Sequence, residues 1–469
     1  MKCVDLLLIN PPFHTRNGGG NFFPLGLGYI ISSVVAHEFT WDLIDCTKMV
    51  HSFYQDDLCK FEDELLTEMQ KFTPLLIGVG PCITSQLRTL KIISNLCRSI
   101  FPKVPILAGG PLASIEGQEW LFYDELGIDF IIKGDGELAI PDAIREIKDT
   151  GSLENCMAIS KQGYSFINEI KDINSILFPY RGLYKEDVFS SRRSDPNLKK
   201  KQAAMITSRG CPYACNYCVS GNLKTNKTVR RRSASNIVQE MEELNRYYGI
   251  DDVVFYDDCF FSNVHTSSLE IESFSKELLN KNLNMTWQIE LRPDLLLSIN
   301  DDSLSLLENS GCRQISLGIE KVSDAGLRFL GKKNSIIGLK EKILHIKEIS
   351  KIGISATFII GGGNETREDV IQLVETSKNL GLDFAHYNPL FVYPGTPLYK
   401  LIFDDDRIWA KMIYNDDLPW GEIIFENSNL NRNDLLELVN YAYKEFYKDT
   451  KYYDQQMVVD RFNIKRGGD

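Results

Sequence analysis

The sequence has no long apolar run and no excess of positive charge. A membrane-spanning helix needs about 18 or more apolar residues in succession, whereas the first apolar run, Val4–Asn10, is short and is followed by Pro11 and Pro12. The net charge is −12, and a dedicated nucleic-acid binder needs a basic face to displace counterions. We therefore expect no signal peptide, no membrane span and no nucleic-acid partner.

The sequence also lacks the cysteine pattern of a disulfide framework. Its 11 cysteines are odd in number and widely scattered, so we expect mostly free thiols in a reducing, cytoplasmic environment. The composition, 43% hydrophobic and 25% charged, is that of an ordinary globular protein. A chain of 469 residues has room for roughly two to four domains.

Residues 1–150 alternate short apolar segments with amphipathic helical segments. The predicted strands are Val4–Asn10, Trp41–Asp45, Leu75–Gly80, Val104–Gly110 and Phe130–Gly134. Continuous apolar strands between helices indicate a parallel sheet covered on both faces, that is, a doubly wound Rossmann-like α/β domain. Its ligands should bind beyond the carboxyl ends of the strands. No G-x-G-x-x-G follows the first strand, which disfavours a dinucleotide.

Glycines and polar residues gather where these strands end. They are Asn10-Pro11-Pro12, the stretch Gly80–Ser85, the pair Gly109-Gly110 and the stretch Gly134–Glu137. Glycine pairs let a bulky ligand approach the backbone, and exposed amides can cradle its polar groups. Taken alone, each stretch is also compatible with ordinary turn chemistry.

Residues 151–202 show weak periodicity and predict a linker, and we interpret the basic run within Ser191–Lys201 as solvated rather than as a binding patch. Strand and helix alternation then resumes over residues 203–397. Its predicted strands are Ala204–Thr207, Asp252–Tyr256, Thr286–Glu290, Gln314–Ile319, Ser355–Ile360 and Ala385–Val392. This repeat predicts a partial (β/α)6 TIM-type barrel with its site at the carboxyl ends of the strands.

Three cysteines follow the first strand of this repeat at a C-x3-C-x2-C spacing: Cys211, Cys215 and Cys218. Thiolates hold iron–sulfur clusters, usually four of them. A triplet without a fourth nearby cysteine predicts a cluster with one open iron. One alternative is a zinc knuckle, which needs a fourth ligand, and no nearby His or Cys supplies it before Cys259. The other alternative is three unrelated buried thiols.

The triplet, with Tyr217 before its last cysteine, resembles the cluster motif of the radical SAM superfamily, and the resemblance extends over Ala203–Pro397. It implies a [4Fe-4S] cluster that chelates S-adenosylmethionine (SAM) and cleaves it to a 5′-deoxyadenosyl radical. It assigns SAM-binding roles to Tyr217, Asp257, Asp258, Arg292, Glu320 and Gly361. The family's usual G-G-E is replaced here by Tyr256-Asp257-Asp258-Cys259.

Several of these residues also have plain structural interpretations. Glu320 could cap the following helix, and Arg292 could pair with Asp294. Cys259 and Cys312 read as core thiols, with Cys259 the better candidate for chemistry. The basic run Arg230–Arg232 is either surface charge or a contact for an anionic substrate, and the sequence leaves both open.

The strand ends of residues 1–150 resemble the cobalamin-binding domain of B12-dependent enzymes. Ser85-Gln86-Leu87 matches that family's S-x-L element and Gly109-Gly110 its glycine pair, whereas the D-x-H-x-x-G motif is absent. The resemblance therefore implies cobalamin without a histidine ligand to cobalt. The residues assigned to cobalamin are Pro12, Thr84, Ser85, Leu87, Gly109, Gly110, Gly134 and Glu137.

Together the two resemblances imply a cobalamin-dependent radical SAM enzyme that methylates an unactivated carbon of a small-molecule or natural-product intermediate. The alternatives are a cyclase, ring-contraction or oxidative enzyme without net methyl transfer, and a non-catalytic corrinoid- or SAM-binding protein. An external one-electron reductant of the flavodoxin or ferredoxin type is implied as partner. Residues 398–469, with a predicted helix over Asn433–Tyr447, should form a mainly helical segment that covers the open barrel.

Overall fold

The computed structural model describes residues 1–12, 23–49, 55–182, 200–261, 263, 265–333, 335–415 and 423–450. Most of the basic run before Lys201 and the chain beyond residue 450 lie outside the described residues. The first of two compact units comprises Met1–Pro196, Cys218–Arg232 and Tyr393–Ile423, and the second Asn197–Tyr217, Ser233–Val392 and Ile424–Asp469. Among the helices described, none combines the length and apolarity that crossing a bilayer requires.

The strands and helices follow the predicted alternation along the chain. The strands are β1 (Lys2–Asn10), β2 (Trp41–Asp45), β3 (Phe72–Val79), β4 (Ile106–Gly109), β5 (Phe130–Gly134), β6 (Ile167–Asn168), β7 (Gln202–Met205), β8 (Ser208–Arg209), β9 (Arg230–Arg231), β10 (Asp252–Phe255), β11 (Thr286–Leu291), β12 (Cys312–Glu320), β13 (Gly353–Ile360), β14 (Phe384–Pro389), β15 (Phe391–Val392) and β16 (Ile423–Ile424). The helices are α1 (Leu25–Ala36), α2 (Gln55–Met69), α3 (Leu87–Ile100), α4 (Pro111–Ser114), α5 (Ala139–Thr150), α6 (Ala234–Tyr248), α7 (Ser267–Lys281), α8 (Pro293–Ser298), α9 (Asp301–Asn309), α10 (Asp324–Phe329), α11 (Leu339–Ile349), α12 (Arg367–Asn379), α13 (Pro397–Ile402), α14 (Ile408–Asn415) and α15 (Arg432–Tyr447).

The first unit is built on a parallel sheet with strand order β2-β1-β3-β4-β5-β6. Its strands are apolar on both faces: Leu6 and Leu8 of β1 pack with Ile31 of α1 and Ile144 of α5 on one face, and Leu7 and Ile9 are buried on the other. The strand order reverses between β1 and β3, and doubly wound sheets bind ligands at this switch point.

The sixth strand of this sheet comes from the predicted linker. Strand β6 pairs with Lys133 and Gly134 of β5, and the preceding Leu153, Cys156 and Ile159 are buried in the same core. Two residues are too short a strand to give a periodic signal, so the sequence did not reveal it.

The second unit contains a six-stranded parallel sheet with order β14-β13-β12-β11-β10-β7. Sequential parallel strands joined by helices curl into a half-barrel. On the helix-facing side of β11, Trp287 packs edge-on against Phe255 and Phe274. The predicted fold class is confirmed: a Rossmann-like parallel sheet, a partial (β/α)6 barrel and a mainly helical C-terminal segment.

Helix α15 covers the edge of the half-barrel. The amide of Ala385 donates to Tyr447 Oη at 3.0 Å, and that hydroxyl donates to Ala385 O at 2.9 Å. The amide of Tyr387 donates to Tyr443 Oη at 3.1 Å. Strand β14 is the last strand of its sheet, and an uncovered edge carries unpaired backbone groups. Tyrosine hydroxyls therefore take the place of a neighbouring strand.

Candidate functional site

The cysteine motif lies in the loop that follows β7 and β8. Cys215 is buried, Cys211 and Cys218 are half-buried, and all three are free thiols. Across the residues that the structure describes, no three His, Cys, Asp or Glu side chains converge closely enough to hold a metal ion. The donor set is nevertheless the one that iron–sulfur clusters use. The assignment of these three cysteines therefore rests on their spacing and chemistry.

Two thiols of the motif differ in acidity. A hydrogen bond with Cys259 lowers the pKa of Cys211 to about 7 against the effect of its burial. Burial raises the pKa of Cys215, although the charges of Lys332 and Arg292 oppose the rise. Cys259 is itself buried, and its Sγ donates to Phe261 O at 2.9 Å. Of the two extra cysteines singled out in the sequence, Cys259 thus contacts the motif. Cys312 is fully buried, which raises its pKa to about 12.

Asp257 anchors the start of the cluster loop. Its Oδ1 accepts bonds from the amides of Thr207 at 2.8 Å and Ser208 at 2.5 Å, and from both hydroxyls at 3.1 and 2.8 Å. A buried carboxylate that accepts several amides is strongly held. In this conformation the carboxylate binds the chain just before Cys211, while the neighbouring Asp258 is exposed. Of the two carboxylates, Asp258 is the more accessible to solvent.

Arg292 follows β11 and points at the cysteine motif. Its guanidinium lies 3.7 Å from the ring centroid of Tyr213, the residue between Cys211 and Cys215 in this loop. It also pairs with Asp294 at 3.0 Å. Burial disfavours its charge, but the hydrogen bond to Asp294 and the charges of Asp294, Tyr213 and Cys215 together outweigh burial and raise the pKa of Arg292. The structural interpretation of this arginine, a pair with Asp294, is thus observed, and the same side chain stacks on the cluster loop.

Glu320 ends β12 in a left-handed backbone conformation, with φ of +67°. Its Oε1 accepts from Tyr217 Oη at 3.2 Å and lies 3.3 Å from Lys332 Nζ. The next helix, α10, is capped by Ser323, whose Oγ accepts from the amide of Gly326 at 3.1 Å. Glu320 is therefore not its cap. The structure brings together two of the predicted SAM-binding residues, Tyr217 and Glu320.

Gly361 begins the glycine run after β13. Its amide donates to Glu365 Oε2 at 2.5 Å, and Glu365 Oε1 accepts from the buried Lys321 at 2.5 Å. An added Cβ at Gly361 would lie 3.1 Å from Leu435 of α15. The backbone here is fixed by an ion pair and by the C-terminal helix.

These groups fit SAM chemically. An ammonium needs a carboxylate, a carboxylate needs a cation, and a ribose diol needs an acceptor; Asp258, Arg292 and Glu320 supply these three at the carboxyl ends of neighbouring strands. On β11, the buried Gln288 Oε1 finds no hydrogen-bond donor among the described residues. An unsatisfied buried acceptor in a barrel sheet is consistent with an absent ligand.

The other predicted site lies at the carboxyl edge of the first sheet. Pro12 follows β1, Thr84 and Ser85 lie in the turn after β3, and Leu87 begins α3; Gly109 ends β4, Gly110 precedes α4, Gly134 ends β5 and Glu137 precedes α5. Hydrogen bonds tie the loops together. Gln86 Nε2 donates to Pro11 O at 3.0 Å, and the Cys82 amide donates to Gly109 O at 2.8 Å. The Gly134 amide donates to Ser114 Oγ at 3.0 Å.

This edge has features of a ligand cradle. The buried Asn10 Oδ1, at the end of β1, finds no hydrogen-bond donor in the part of the chain that is described. A Cβ added to Gly109 would make only an ordinary van der Waals contact with Ile132, at 3.9 Å, so the backbone here is not tightly enclosed. Leu87, in contrast, is fully buried. The edge thus offers a polar acceptor at the end of β1 and glycine backbone at the end of β4, and doubly wound sheets bind their ligands along this edge.

Two arginines of the basic run Arg230–Arg232 are buried and are therefore not surface charges. Arg230 is buried, pairs with Asp135 directly after β5, and donates to Ile170 O at 2.8 Å. Arg232 is also buried, with its guanidinium 5.1 Å from the Phe178 ring centroid. The run fastens the segment after Cys218 within the first unit.

Three residues of the site carried no sequence signal of their own. Asn216 and Gln86 occupy variable positions within their motifs, and Lys332 lies far along the chain from both motifs. The hydrogen-bond partner of each of these residues lies outside its own short segment. Tyr213 was visible within the motif, but nothing in the sequence paired it with Arg292.

Two family profiles match this chain. The radical SAM superfamily profile matches residues 205–376, and the B12 binding domain profile matches residues 14–144. These matches confirm the predicted cofactors, namely a [4Fe-4S] cluster, SAM and cobalamin.

Similar proteins span most of the chain. An uncharacterized methyltransferase of Pyrococcus horikoshii is 27% identical over 85% of this chain and 83% of its own. An anaerobic magnesium-protoporphyrin IX monomethyl ester cyclase of Rubrivivax gelatinosus is 22% identical over 98% and 80%. Among solved structures, the radical SAM methyltransferase TsrM from Kitasatospora setae has a TM-score of 0.62 at 18% identity, over 85% of this chain and 75% of that one; at this identity the likeness concerns the fold. The chain thus carries a B12 binding domain followed by a radical SAM domain, the combination of the cobalamin-dependent, methyltransferase-like radical SAM enzymes.

Proposed function

We propose that this enzyme transfers a methyl group to an unactivated carbon of a small molecule. The observation that carries the proposal is the succession of a B12 binding domain and a radical SAM domain in one chain. When bound, the cluster and SAM supply a hydrogen-abstracting radical, and the cobalamin supplies the methyl group. The relative from P. horikoshii carries a methyltransferase name, which supports this choice.

The roles of the residues follow from their chemistry. We assign Cys211, Cys215 and Cys218 to the cluster, Asp258 to the SAM ammonium, Arg292 to its carboxylate, and Glu320 with Tyr217 to its nucleoside end. The Gly361 backbone passes the adenine, and Asp257 holds the loop in place. At the other site, Ser85, Gly109 and Gly110 border the corrin tail with Pro12, Thr84, Leu87, Gly134 and Glu137 around them.

A cleft in the first unit is our candidate entrance for the substrate. It has a volume of about 580 Å³ and is lined by Ser114, Asn222, Gly395 and by charges of both signs, among them Lys400 and Asp406. This volume is that of an ordinary small-molecule pocket. Ser114 follows the Gly109-Gly110 pair, and Asn222 Nδ2 donates to Cys218 O at 2.7 Å. The lining also includes Ile115, Val219, Leu223 and Leu401, so a substrate with both apolar and ionised groups fits it.

The product pattern tests the proposal. Anaerobically reconstituted protein with cobalamin, dithionite and SAM labelled in its methyl group should form both 5′-deoxyadenosine and S-adenosylhomocysteine. Loss of Cys215 (Cys215→Ser) should abolish deoxyadenosine and lower bound iron. If the wild-type protein yields neither product, both enzymatic proposals fail and a binding protein remains.

A second candidate is a cobalamin-dependent cyclase or oxidative enzyme without net methyl transfer. The cyclase of R. gelatinosus aligns over 98% of this chain, which favours this alternative. Deoxyadenosine without S-adenosylhomocysteine would select it.

Two further features complete the proposal. Reductive cleavage requires an electron, so we assign a flavodoxin- or ferredoxin-type donor as partner. An oxygen-sensitive cluster fits a reducing cytoplasm, where we place the protein. The domain limits of 1–150, 151–202, 203–397 and 398–469 remain our proposal for its organisation.

A further inference from the structure

The turn that ends α10, Phe329–Lys332, contacts the cluster loop directly. The Asn216 amide donates to Leu330 O at 2.9 Å, and Asn216 Nδ2 donates to Phe329 O at 2.9 Å. Asn216 lies between Cys215 and Tyr217 in the motif. Two hydrogen bonds to one residue fix its backbone and side chain together, so this turn sets where the adjoining cysteine and tyrosine lie.

Gly331 makes the close approach feasible. Its φ is +67°, and a Cβ would lie 2.8 Å from Asn216 Oδ1 and 3.2 Å from Asn216 N. A glycine in the left-handed conformation after a helix is a common helix end. Because Gly331 has no side chain, Asn216 can occupy the space beside its Cα.

Lys332 extends the contact to Glu320. Its Nζ donates to Gly318 O at 2.5 Å and lies 3.3 Å from Glu320 Oε1, with both side chains buried or nearly so. The same Glu320 oxygen accepts from Tyr217 Oη. A buried carboxylate without a partner cation is costly, and such a group is held by its counterion. The lysine therefore determines where this carboxylate points.

We propose that the Phe329–Lys332 turn is a docking platform that positions the cluster loop through Asn216 and orients the Glu320 carboxylate toward SAM through Lys332. Lys332 is a positioning residue that acts through Glu320. The inference rests on the proposed function, since it takes Glu320 and Tyr217 as SAM ligands. No corresponding role follows for Lys333, which comes directly after the turn and is exposed.

The test measures SAM affinity and the cluster signal rather than turnover. On anaerobically reconstituted protein, Lys332→Met should weaken SAM binding by about tenfold or more, as losses of residues that orient a ligand commonly do. The change that SAM produces in the electron paramagnetic resonance spectrum of the reduced cluster should diminish. Lys333→Met is the matched control and should behave as wild type. Wild-type affinity in Lys332→Met overturns the inference, whereas a wild-type protein that binds no SAM overturns the proposed function instead.

A double variant shows whether Lys332 acts through Glu320. In the Glu320→Gln background, Lys332→Met should change SAM affinity by no more than about twofold, because coupled residues are not additive. This double variant also decides the matter if Lys332→Met alone does not fold, since removing both charges leaves no unpaired carboxylate. A full additional loss in the double variant would contradict the inference.

The loop contact has its own measurement. Asn216→Ala deletes one bond to the turn and should lower the iron content and alter the spectrum of the reduced cluster while far-ultraviolet circular dichroism stays unchanged. Iron content and spectrum identical to wild type would rule out docking through this residue.

Discussion

At the scale of single residues, adjacent aspartates have different tasks. Asp257 is buried and accepts four hydrogen bonds from Thr207 and Ser208, whereas Asp258 is exposed. The sequence shows only a pair of acids after a predicted strand and cannot distinguish them. Burial and bonding in the folded chain separate an anchor from a candidate ligand.

Neutralising each aspartate in turn tests this division. Asp257→Asn should lower the free energy of unfolding by about 1.5–3 kcal/mol, because hydrogen bonds to a charged group are lost. Asp258→Asn should change it by less than about 0.5 kcal/mol, as exposed substitutions do, but should weaken SAM binding. Urea unfolding of the cluster-free protein checks the first statement and equilibrium dialysis the second. Equal destabilisation by both variants would contradict the assignment.

At the scale of elements, helix α15 matters because it completes a sheet edge. Tyr447→Phe removes a hydroxyl that both accepts from and donates to Ala385. Leaving those backbone groups unsatisfied should destabilise the protein by about 1–3 kcal/mol. Thermal or urea unfolding measures the loss, and Tyr441→Phe on the same helix serves as control. An unchanged midpoint for Tyr447→Phe would show that the edge does not depend on this tyrosine.

The segment between the cysteine motif and α6 is fastened by an ion pair. Arg230→Met leaves the buried Asp135 without its cation and should destabilise the protein by about 3–5 kcal/mol. Replacing both residues by apolar ones should restore much of the loss, since the unpaired charge is then gone. Unfolding midpoints of the single and double variants give the comparison. If Arg230→Met is as stable as wild type, the ion pair is not what fastens the segment.

At the scale of the whole molecule, cofactor uptake should depend on the geometry of the first sheet's edge. A Cβ on Gly110 would lie 2.5 Å from the nitrogen of Cys82, in the turn that carries Thr84 and Ser85. Gly110→Ala should displace this turn and abolish the corrinoid absorbance of protein produced in B12-replete cells. Gly127→Ala is the matched control, since Gly127 also has a positive φ but no atom within 4 Å of an added Cβ. Retained cobalamin in Gly110→Ala would contradict the proposed edge site.

Local pattern was enough to determine the fold class and the identity of the cofactors. Apolar strands that alternate with amphipathic helices indicate a parallel sheet. The C-x3-C-x2-C spacing indicates a cluster site, and it lies within eight neighbouring residues, Cys211–Cys218. Ser85-Gln86-Leu87 and Gly109-Gly110 are equally local. For such features the signal lies in the spacing of residues along one short segment.

Only the tertiary structure decided what the remaining polar residues do. In the folded chain β6 pairs at the edge of a sheet, and Arg230 forms an ion pair with Asp135. Lys332 forms an ion pair with Glu320, and Asn216 forms a hydrogen bond with the turn after α10. Each of these partnerships links residues far apart in the chain, or depends on burial that follows from packing. The partners of charged and hydrogen-bonding side chains are determined by the folded chain. The order of residues in the sequence therefore cannot show which acidic residue pairs with a given basic residue.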